Sequence, residues 1–380
     1  MLFRSRGDNM AVKILHLADL HIGANETFLG ERAASRRLEA LFTFEKAVDL
    51  AKAQGVKLFL IAGDLLDSNR IENSFIERIT DKISSVPEIK FVLSLGNHDP
   101  LNSDSPFLKV KLPENLYVMP TKDTCIEVLD GVKVYGKSFA ESLQNGEEEF
   151  SVSADENTVN IMCIHGCFGI SGDYNPISDN FVIKSGMDYI ALGHIHKRTD
   201  LKKIGNTYIA YSGCTEGLGF DETGEKGVYI GEIDKNTCLL QFVPIQRRMH
   251  LIEKIDVSGL ESEGEIFDKT LSILKEKYGE SFADNLYKIV LSGEIPETFY
   301  IDIKEIAERL KTVTYFAKVY DETSIKFDLE SIKNEVTLKG VFVKNMLERI
   351  AADGDNKALY ERALKIGLKA FSKEVSFDED

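Results

Sequence analysis

Over the first two thirds of the chain, short unbroken apolar runs alternate with amphipathic stretches. Val12 to Leu17, Lys57 to Ala62 and Phe91 to Leu95 are runs of the kind that fill strands buried on both faces. Apolar residues at helical spacing cover about Arg36 to Lys52 and about Glu72 to Ser84, between those runs. The pattern then becomes strand-rich. Cys125 to Tyr135 reads as a hairpin turning at Asp130-Gly131, and Val159 to Ile164, Tyr189 to Leu192, Tyr208 to Tyr211 and Val228 to Val243 continue the series. Strand–helix alternation followed by a strand-rich half predicts an α/β fold, with two sheets face to face and helices outside.

The character changes around Gln246 to His250. From Leu251 the order reads strand, helix (Glu265 to Tyr278), strand (Leu286 to Leu291), helix (Ile303 to Leu310), strand (Val313 to Tyr320), enough for a small α+β domain. Two amphipathic helices follow Asn334. One carries Leu338, Val341, Phe342, Met346 and Ile350 at helical spacing; the other carries Tyr360, Leu364, Leu368 and Phe371. Asp353-Gly354-Asp355-Asn356 breaks them. The expected divisions are 10–250, 251–333 and 334–375, without internal repeats.

Composition narrows the class. The 380 residues are 43% apolar and 28% charged, ordinary for a chain with a sizeable core. No apolar run approaches the ~20 residues that span a bilayer, so no membrane role is expected. Met1 to Met10 is polar and lacks the apolar stretch of a secretory signal, and Met10 reads as the natural start. Five cysteines, scattered and odd in number, fit a reducing cytoplasm. The net charge of -16 argues against a broad basic surface gripping nucleic acid. Bound cations and a local basic patch can still hold a phosphodiester on an acidic molecule.

The candidate chemistry lies at the strand ends. Asp19-Leu20-His21, Gly63-Asp64-Leu65-Leu66-Asp67, Gly96-Asn97-His98-Asp99, His165-Gly166 and Gly193-His194-Ile195-His196 each follow an apolar run. One such group is an ordinary polar loop. Five in order, holding five of the seven histidines, form a constellation where α/β sheets bind ligands. Aspartate, histidine and asparagine without cysteine suit a borderline-to-hard divalent metal. Two ions about 3.5–4 Å apart need a bridging ligand, and Asp64, at the mouth of a central strand, is the best candidate. With Asp19, Asp64 and a bridging hydroxide the site stays positive and attracts a phosphodiester, and that hydroxide is the expected in-line nucleophile. His98 is the expected proton donor or charge stabiliser at the leaving oxygen.

This ordered set resembles the calcineurin-like metallophosphoesterase superfamily. Within it, the stretches from His16 to Gly23 and from Asp188 to His196 are similar to the SbcD-type DNA repair exonucleases, including the YhaO-like branch. The resemblance covers roughly residues 12 to 250, and the remainder only by architecture, as a capping domain followed by helices. It implies a four-layer α/β/β/α sandwich hydrolysing DNA at its ends with two metal ions, usually manganese. One ion would be held by Asp19, His21, Asp64 and His196, the other by Asp64, Asn97, His165 and His194, with His98 acting on the substrate. It also implies a homodimer and a coiled-coil SMC-like ATPase (SbcC-like) as partner, touched by the C-terminal helices. Two positions depart from the pattern: Asp67 stands where some relatives carry histidine, and Cys214 where relatives often carry serine. Cys214 is given no catalytic role.

Weaker features carry competing readings. Asp99 is grouped with His98 and Asp64 as catalytic, shaping the His98 pair, although a turn-forming aspartate before Pro100 fits equally well. His16, inside a strand, reads as a hydrogen-bonded core histidine. Cys163-x-His165-x-Cys167 lacks a partner pair for a zinc site. Arg36-Arg37, Lys197-Arg198, Lys202-Lys203 and Arg247-Arg248 are candidate phosphate contacts, with Lys197 and Arg198 best placed after a ligand position; solvated surface charge is the alternative for each. No P-loop sequence occurs, which argues against ATP hydrolysis by that mechanism. The rival functions are a same-fold enzyme acting on a small phosphodiester or nucleotide, and a non-catalytic scaffold for an ATPase.

Overall fold

The apolar runs become strands, and the topology carries all five polar groups to strand ends that meet. The computed structural model describes residues 11–142, 153–169, 174–296, 299–354 and 356–371; Met10 and residues 372–375 of the expected divisions lie outside them. The chain divides into two compact units, Met1–Leu251 and Ile252–Asp380.

The strands of the first unit are β1 (Val12–Leu17), β2 (Leu58–Ile61), β3 (Lys90–Leu93), β4 (Leu116–Val118), β5 (Thr124–Leu129), β6 (Val132–Gly136), β7 (Val159–His165), β8 (Tyr189–Gly193), β9 (Lys202–Ile204), β10 (Thr207–Tyr211), β11 (Gly227–Asp234) and β12 (Thr237–Pro244). They form two six-stranded sheets, ordered β12-β11-β1-β2-β3-β4 and β5-β6-β7-β8-β10-β9. In the first, β1 to β4 run parallel, and β11 lies antiparallel between β1 and β12. In the second, β6, β7, β8 and β10 run parallel, with β5 and β9 as antiparallel edges.

The period-two alternation of side chains separates the layers. Val12, Ile14, Leu58, Leu60 and Val92 of one sheet pack against Val134, Ile161, Tyr189 and Ala191 of the other. On the outer face of the first sheet, Leu15, Leu17, Phe59 and Phe91 meet Phe44 and Val48 of α2 (Glu39–Ala53) and Ile76 and Ile79 of α3 (Asn73–Ser84), with short α1 (Ala33–Arg36) preceding α2. Met162, Ile164, Ile190 and Leu192 cover the outer face of the second sheet against Val182 of α4 (Asp179–Lys184). The fold is therefore mixed α/β with two large sheets between helices. Its fourth layer is thin, with α4 as its helix among the described residues.

His16 is the polar exception inside the core. Its Nδ1 lies 2.8 Å from the Tyr189 hydroxyl and its Nε2 3.2 Å from the Leu192 carbonyl. Burial pushes its pKa down to about 3, so it stays neutral and hydrogen-bonded. Where the sequence reads one strand from Val228 to Val243, the chain folds into the β11–β12 hairpin. Asn236, at φ 69°, makes the turn in a conformation asparagine tolerates better than most residues.

The second unit contains β13 (His250–Asp256) from Ile252 on, β14 (Leu286–Ser292), β15 (Glu294–Pro296), β16 (Phe316–Asp321) and β17 (Ser324–Lys326). β13, β14 and β16 form one sheet in that order, and β15 pairs with β17. Its helices are α5 (Glu263–Tyr278), α6 (Ile303–Lys311), α7 (Leu329–Ile332), α8 (Leu338–Ala352) and α9 (Lys357–Phe371). Ser262, Asp302 and Thr337 cap α5, α6 and α8 through side-chain oxygens. α8 and α9 bury Val343, Met346, Leu364 and Leu368 together with Ile332 of α7.

Candidate metal centre

The carboxyl ends of β1, β2 and β3 in one sheet meet those of β7 and β8 in the other. The backbone there is unusual. Asp19 (φ 52°), His21 (φ 47°), Asp64 (φ 48°) and His194 (φ 99°) all adopt positive φ. Each such conformation costs an L residue about 1–3 kcal/mol and persists only where the surroundings dictate it. Here they do. Asp19 N–H donates to the Gly63 carbonyl at 3.1 Å, and His21 N–H to the Asp64 carbonyl at 3.0 Å. Two glycines permit the close approach of strand ends: a Cβ at Gly193 would stand 1.8 Å from the Ala62 carbonyl oxygen, and one at Gly96 2.2 Å from Asp64 Oδ1.

Side chains converge on Asp64. Its Oδ2 lies 3.8 Å from His21 Nε2 and 3.3 Å from His165 Nε2, so one carboxylate faces both halves of the site. Its Oδ1 accepts the His98 N–H at 2.9 Å. His21 Nε2 and His196 Nε2 face each other at 3.1 Å, and Asn97 Oδ1 lies 3.0 Å from His165 Nε2. The buried Asp19 carboxylate accepts the His194 N–H at 2.9 and 3.2 Å. Ligand-type atoms of Asp19, His21 and His196 lie within 4.8 Å of one another, as do those of Asp19, Asp64 and His165, and those of His21, Asp64 and His98. His194 is in none of these groups: its ring stacks on Tyr174 at 4.6 Å and meets the His165 ring edge-on at 5.1 Å.

The donor set fits a cation. His165 Nδ1 is 3.0 Å from the Ala62 carbonyl, so its proton belongs there and Nε2 turns a lone pair toward Asp64 and Asn97 oxygens. His196 Nδ1 is likewise held by the Glu222 carboxylate, which leaves Nε2 facing His21. Lone pairs aimed at acceptors need a positive charge between them. Burial works against charging His165, but Asp64 and Asp19 outweigh it and raise its pKa from 6.5 to about 9. Without metal, a proton takes that place. Burial also opposes ionising Asp64, yet His165, His21 and the His98 N–H hold its carboxyl below the usual range. Burial raises the Asp19 carboxyl against the pull of His165.

The calcineurin-like phosphoesterase family matches residues 12–198, the stretch that contains Asp19, His21, Asp64, Asn97, His98, His165, His194 and His196. That stretch forms a calcineurin-like phosphoesterase domain. The protein is thus a metal-dependent phosphoesterase, from a family that binds divalent metals. The chain is 28% identical over 306 residues to the uncharacterized metallophosphoesterase YhaO of Bacillus subtilis (strain 168), covering 74% of this chain and 72% of that protein. It is 24% identical over 356 residues to the DNA double-strand break repair protein Mre11 of Methanopyrus kandleri, covering 85% of this chain and 76% of that protein. With the protein of the same name from Sulfolobus acidocaldarius, identity is 23% over 347 residues, 86% of each chain.

Not every residue expected at the phosphoesterase centre touches it. Asp99, expected among the catalytic groups, is fully buried, and its oxygens accept the Leu66 N–H at 3.0 Å and the Gly96 N–H at 2.7 Å. Burial and the Asp64 charge raise its pKa to about 7. It fixes the loops that carry Asp64 and Asn97 and cannot reach a substrate. Arg36, expected as a phosphate contact, is buried as well. Its guanidinium bonds Glu26 at 2.7 Å, Glu39 at 2.6 Å, Glu216 at 3.0 Å and the Gly217 carbonyl at 2.7 Å, which leaves no face for a phosphate. Arg37 is engaged by both Glu72 oxygens and the Gly23 carbonyl. Lys197 is exposed beside His196, and Arg198 lies over the Phe242 ring at 4.6 Å. Asp67 Oδ1 lies 3.4 Å from His21 Nδ1, placing a carboxylate behind that imidazole.

Glu222 escaped the sequence reading. It sits in Asp221-Glu222-Thr223-Gly224, which looks like an ordinary polar turn. Burial opposes its ionisation, but His196 and the Leu218 N–H hold its carboxyl down to about 2. A carboxylate behind a ligand imidazole fixes ring orientation and basicity. Glu222→Ala is therefore expected to weaken metal binding roughly 10- to 100-fold, measured by titration calorimetry. Unchanged affinity would show that His196 needs no orienting partner.

Proposed function

We propose that this phosphoesterase hydrolyses DNA phosphodiester bonds at DNA ends, as a cytoplasmic repair exonuclease using manganese. What supports this reading most is that two relatives named for DNA double-strand break repair align with about 85% of the chain, far beyond the phosphoesterase domain. In the proposed site, Asp19, His21, Asp64 and His196 hold one ion, and Asp64, Asn97, His165 and His194 the other. When bound, two divalent ions supply a nucleophile at neutral pH and positive charge for the phosphoryl oxygens.

The chain's own residues do the rest. Asp64 keeps the two halves in register through its shared carboxylate. The His98 backbone is tied to Asp64, and its Nδ1 lies 3.1 Å from the Asp67 carbonyl, which leaves Nε2 on the opposite edge of a ring whose side chain is 45% exposed. From there His98 meets the leaving oxygen as proton donor. Lys197 and Arg198, next to His196, hold the flanking phosphate.

The C-terminal helix pair is the proposed contact with a coiled-coil SMC-like ATPase. It leaves Leu338, Val341, Leu359 and Ile366 more than half exposed. No helix among the described residues is long and apolar enough to cross a membrane. The DNA reading is tested with end-labelled linear duplex DNA and manganese. Stepwise shortening from the ends is the expected result, and cleavage of bis-p-nitrophenyl phosphate with intact DNA, ATPase partner included, would favour a small nucleotide substrate instead.

A further inference from the structure

The solvent face of the small three-stranded sheet is built unlike the rest of this acidic chain. β14 and β16 pair with Lys288 opposite Lys318. Lys288 lies over the Tyr320 ring at 4.9 Å, and Lys318 over the Phe316 ring at 5.9 Å, so these four side chains share one face. On β13 the exposed positions alternate with buried Glu253 and Ile255, bringing Ile252, Lys254 and, at the strand end, Asp256 to the same side. The opposite face carries buried Tyr287, Ile289, Leu291, Ala317 and Val319. Tyr320 and Ile252 are 45% and 47% exposed. The Lys254 ammonium has exposed Glu322 at 3.6 Å, a surface pair that holds it only weakly.

Ammonium groups spaced around a half-exposed aromatic ring on a flat sheet match one ligand chemistry. A single strand of nucleic acid offers alternating phosphates and unstacked bases, and an aromatic ring takes a base while lysines take the phosphates. A duplex hides its base faces and gains nothing from Tyr320 or Ile252. With a net charge of -16, the chain repels polyanions at long range, so attraction must be local and must come from these lysines.

We propose that the exposed face of the β13–β14–β16 sheet binds single-stranded DNA, with Tyr320 stacking on a base and Lys254, Lys288 and Lys318 holding the neighbouring phosphates. This deepens the reading of the protein as a nuclease at DNA ends, and rests on it. Such a face would hold a strand separated from its complement.

The test is fluorescence anisotropy with the full metal-loaded protein and a nuclease-resistant phosphorothioate oligothymidylate of about 15 nucleotides, within the span of known single-strand sites. The oligothymidylate is expected to bind more tightly than a blunt phosphorothioate duplex. Tyr320→Ala should weaken binding roughly 5- to 150-fold, the range for losing one stacked base, and Tyr320→Phe should restore it. The Lys288→Gln/Lys318→Gln double variant should make the salt dependence shallower by about 1.4 in logarithmic slope, about 0.7 for each lost phosphate. Both lysines are partly exposed, and this arm stands even if Tyr320→Ala fails to fold. Equal binding by the folded variants, or preference for duplex, overturns the proposal. Duplex degradation by the unmodified protein, measured in parallel, separates the two readings. Cleavage with variant-insensitive binding sinks the sheet face alone. Variant-sensitive binding without cleavage leaves the face standing and sinks the DNA-end reaction.

Discussion

Asp64→Asn is expected to lower hydrolysis of bis-p-nitrophenyl phosphate by about 10³-fold or more, the scale for losing one member of a catalytic unit. The reason is the sharing. Asp64 Oδ2 lies between the Nε2 atoms of His21 and His165, at 3.8 and 3.3 Å. Asparagine keeps an oxygen for the His98 N–H, which Asp64 Oδ1 now accepts at 2.9 Å, so the loop retains its hydrogen bond. What disappears is negative charge. The variant should stay folded by circular dichroism and lose metal from both halves of the site. Activity within a few-fold of the parent would remove Asp64 from the shared position.

His98→Ala separates chemistry from metal binding. The imidazole side chain is 45% exposed, so truncation costs little packing, and its N–H to Asp64 belongs to the main chain and survives. The expected loss is about 10²- to 10⁴-fold in kcat, the usual worth of a positioned proton donor, with metal content unchanged. His98 also has a ring nitrogen within 4.8 Å of ligand atoms on His21 and Asp64. If activity and metal disappear together, His98 is a ligand rather than the acid.

The sequence was legible where burial is two-sided. β1 runs from Val12 to Leu17 as its apolar run predicts, because cover on both faces keeps Val12, Ile14, Leu15 and Leu17 apolar. The same continuity exposed the five polar groups that follow such strands. Short edge elements such as β4 and β9 were missed, having three residues each and little burial. Arg36 was misread for a different reason. Two adjacent arginines look like surface charge, and nothing local shows that Glu216, 180 positions away, closes around one of them. Glu222 was hidden likewise, since a turn glutamate acquires meaning only when folding brings His196 against it. Asp99 was read both as a catalytic partner of His98 and as a turn-forming aspartate, because sequence cannot tell a carboxylate facing solvent from one enclosed by backbone N–H groups.

The centre's strain fits this account. Four residues hold positive φ with their side chains or backbone turned into one site, an arrangement that folding alone does not favour. Metal binding is the gain that selects it. The most direct measurement is calorimetric titration of the metal-stripped protein with manganese at neutral pH, in two buffers of different ionisation enthalpy. His165, raised to about 9, is protonated under those conditions and must give its proton to the buffer as a metal takes its place, so affinity should rise with pH between 6.5 and 9. Two ions per chain are expected, with proton release that falls to about half near pH 9 and disappears above it. A single ion, or uptake without proton release at neutral pH, would contradict this expectation.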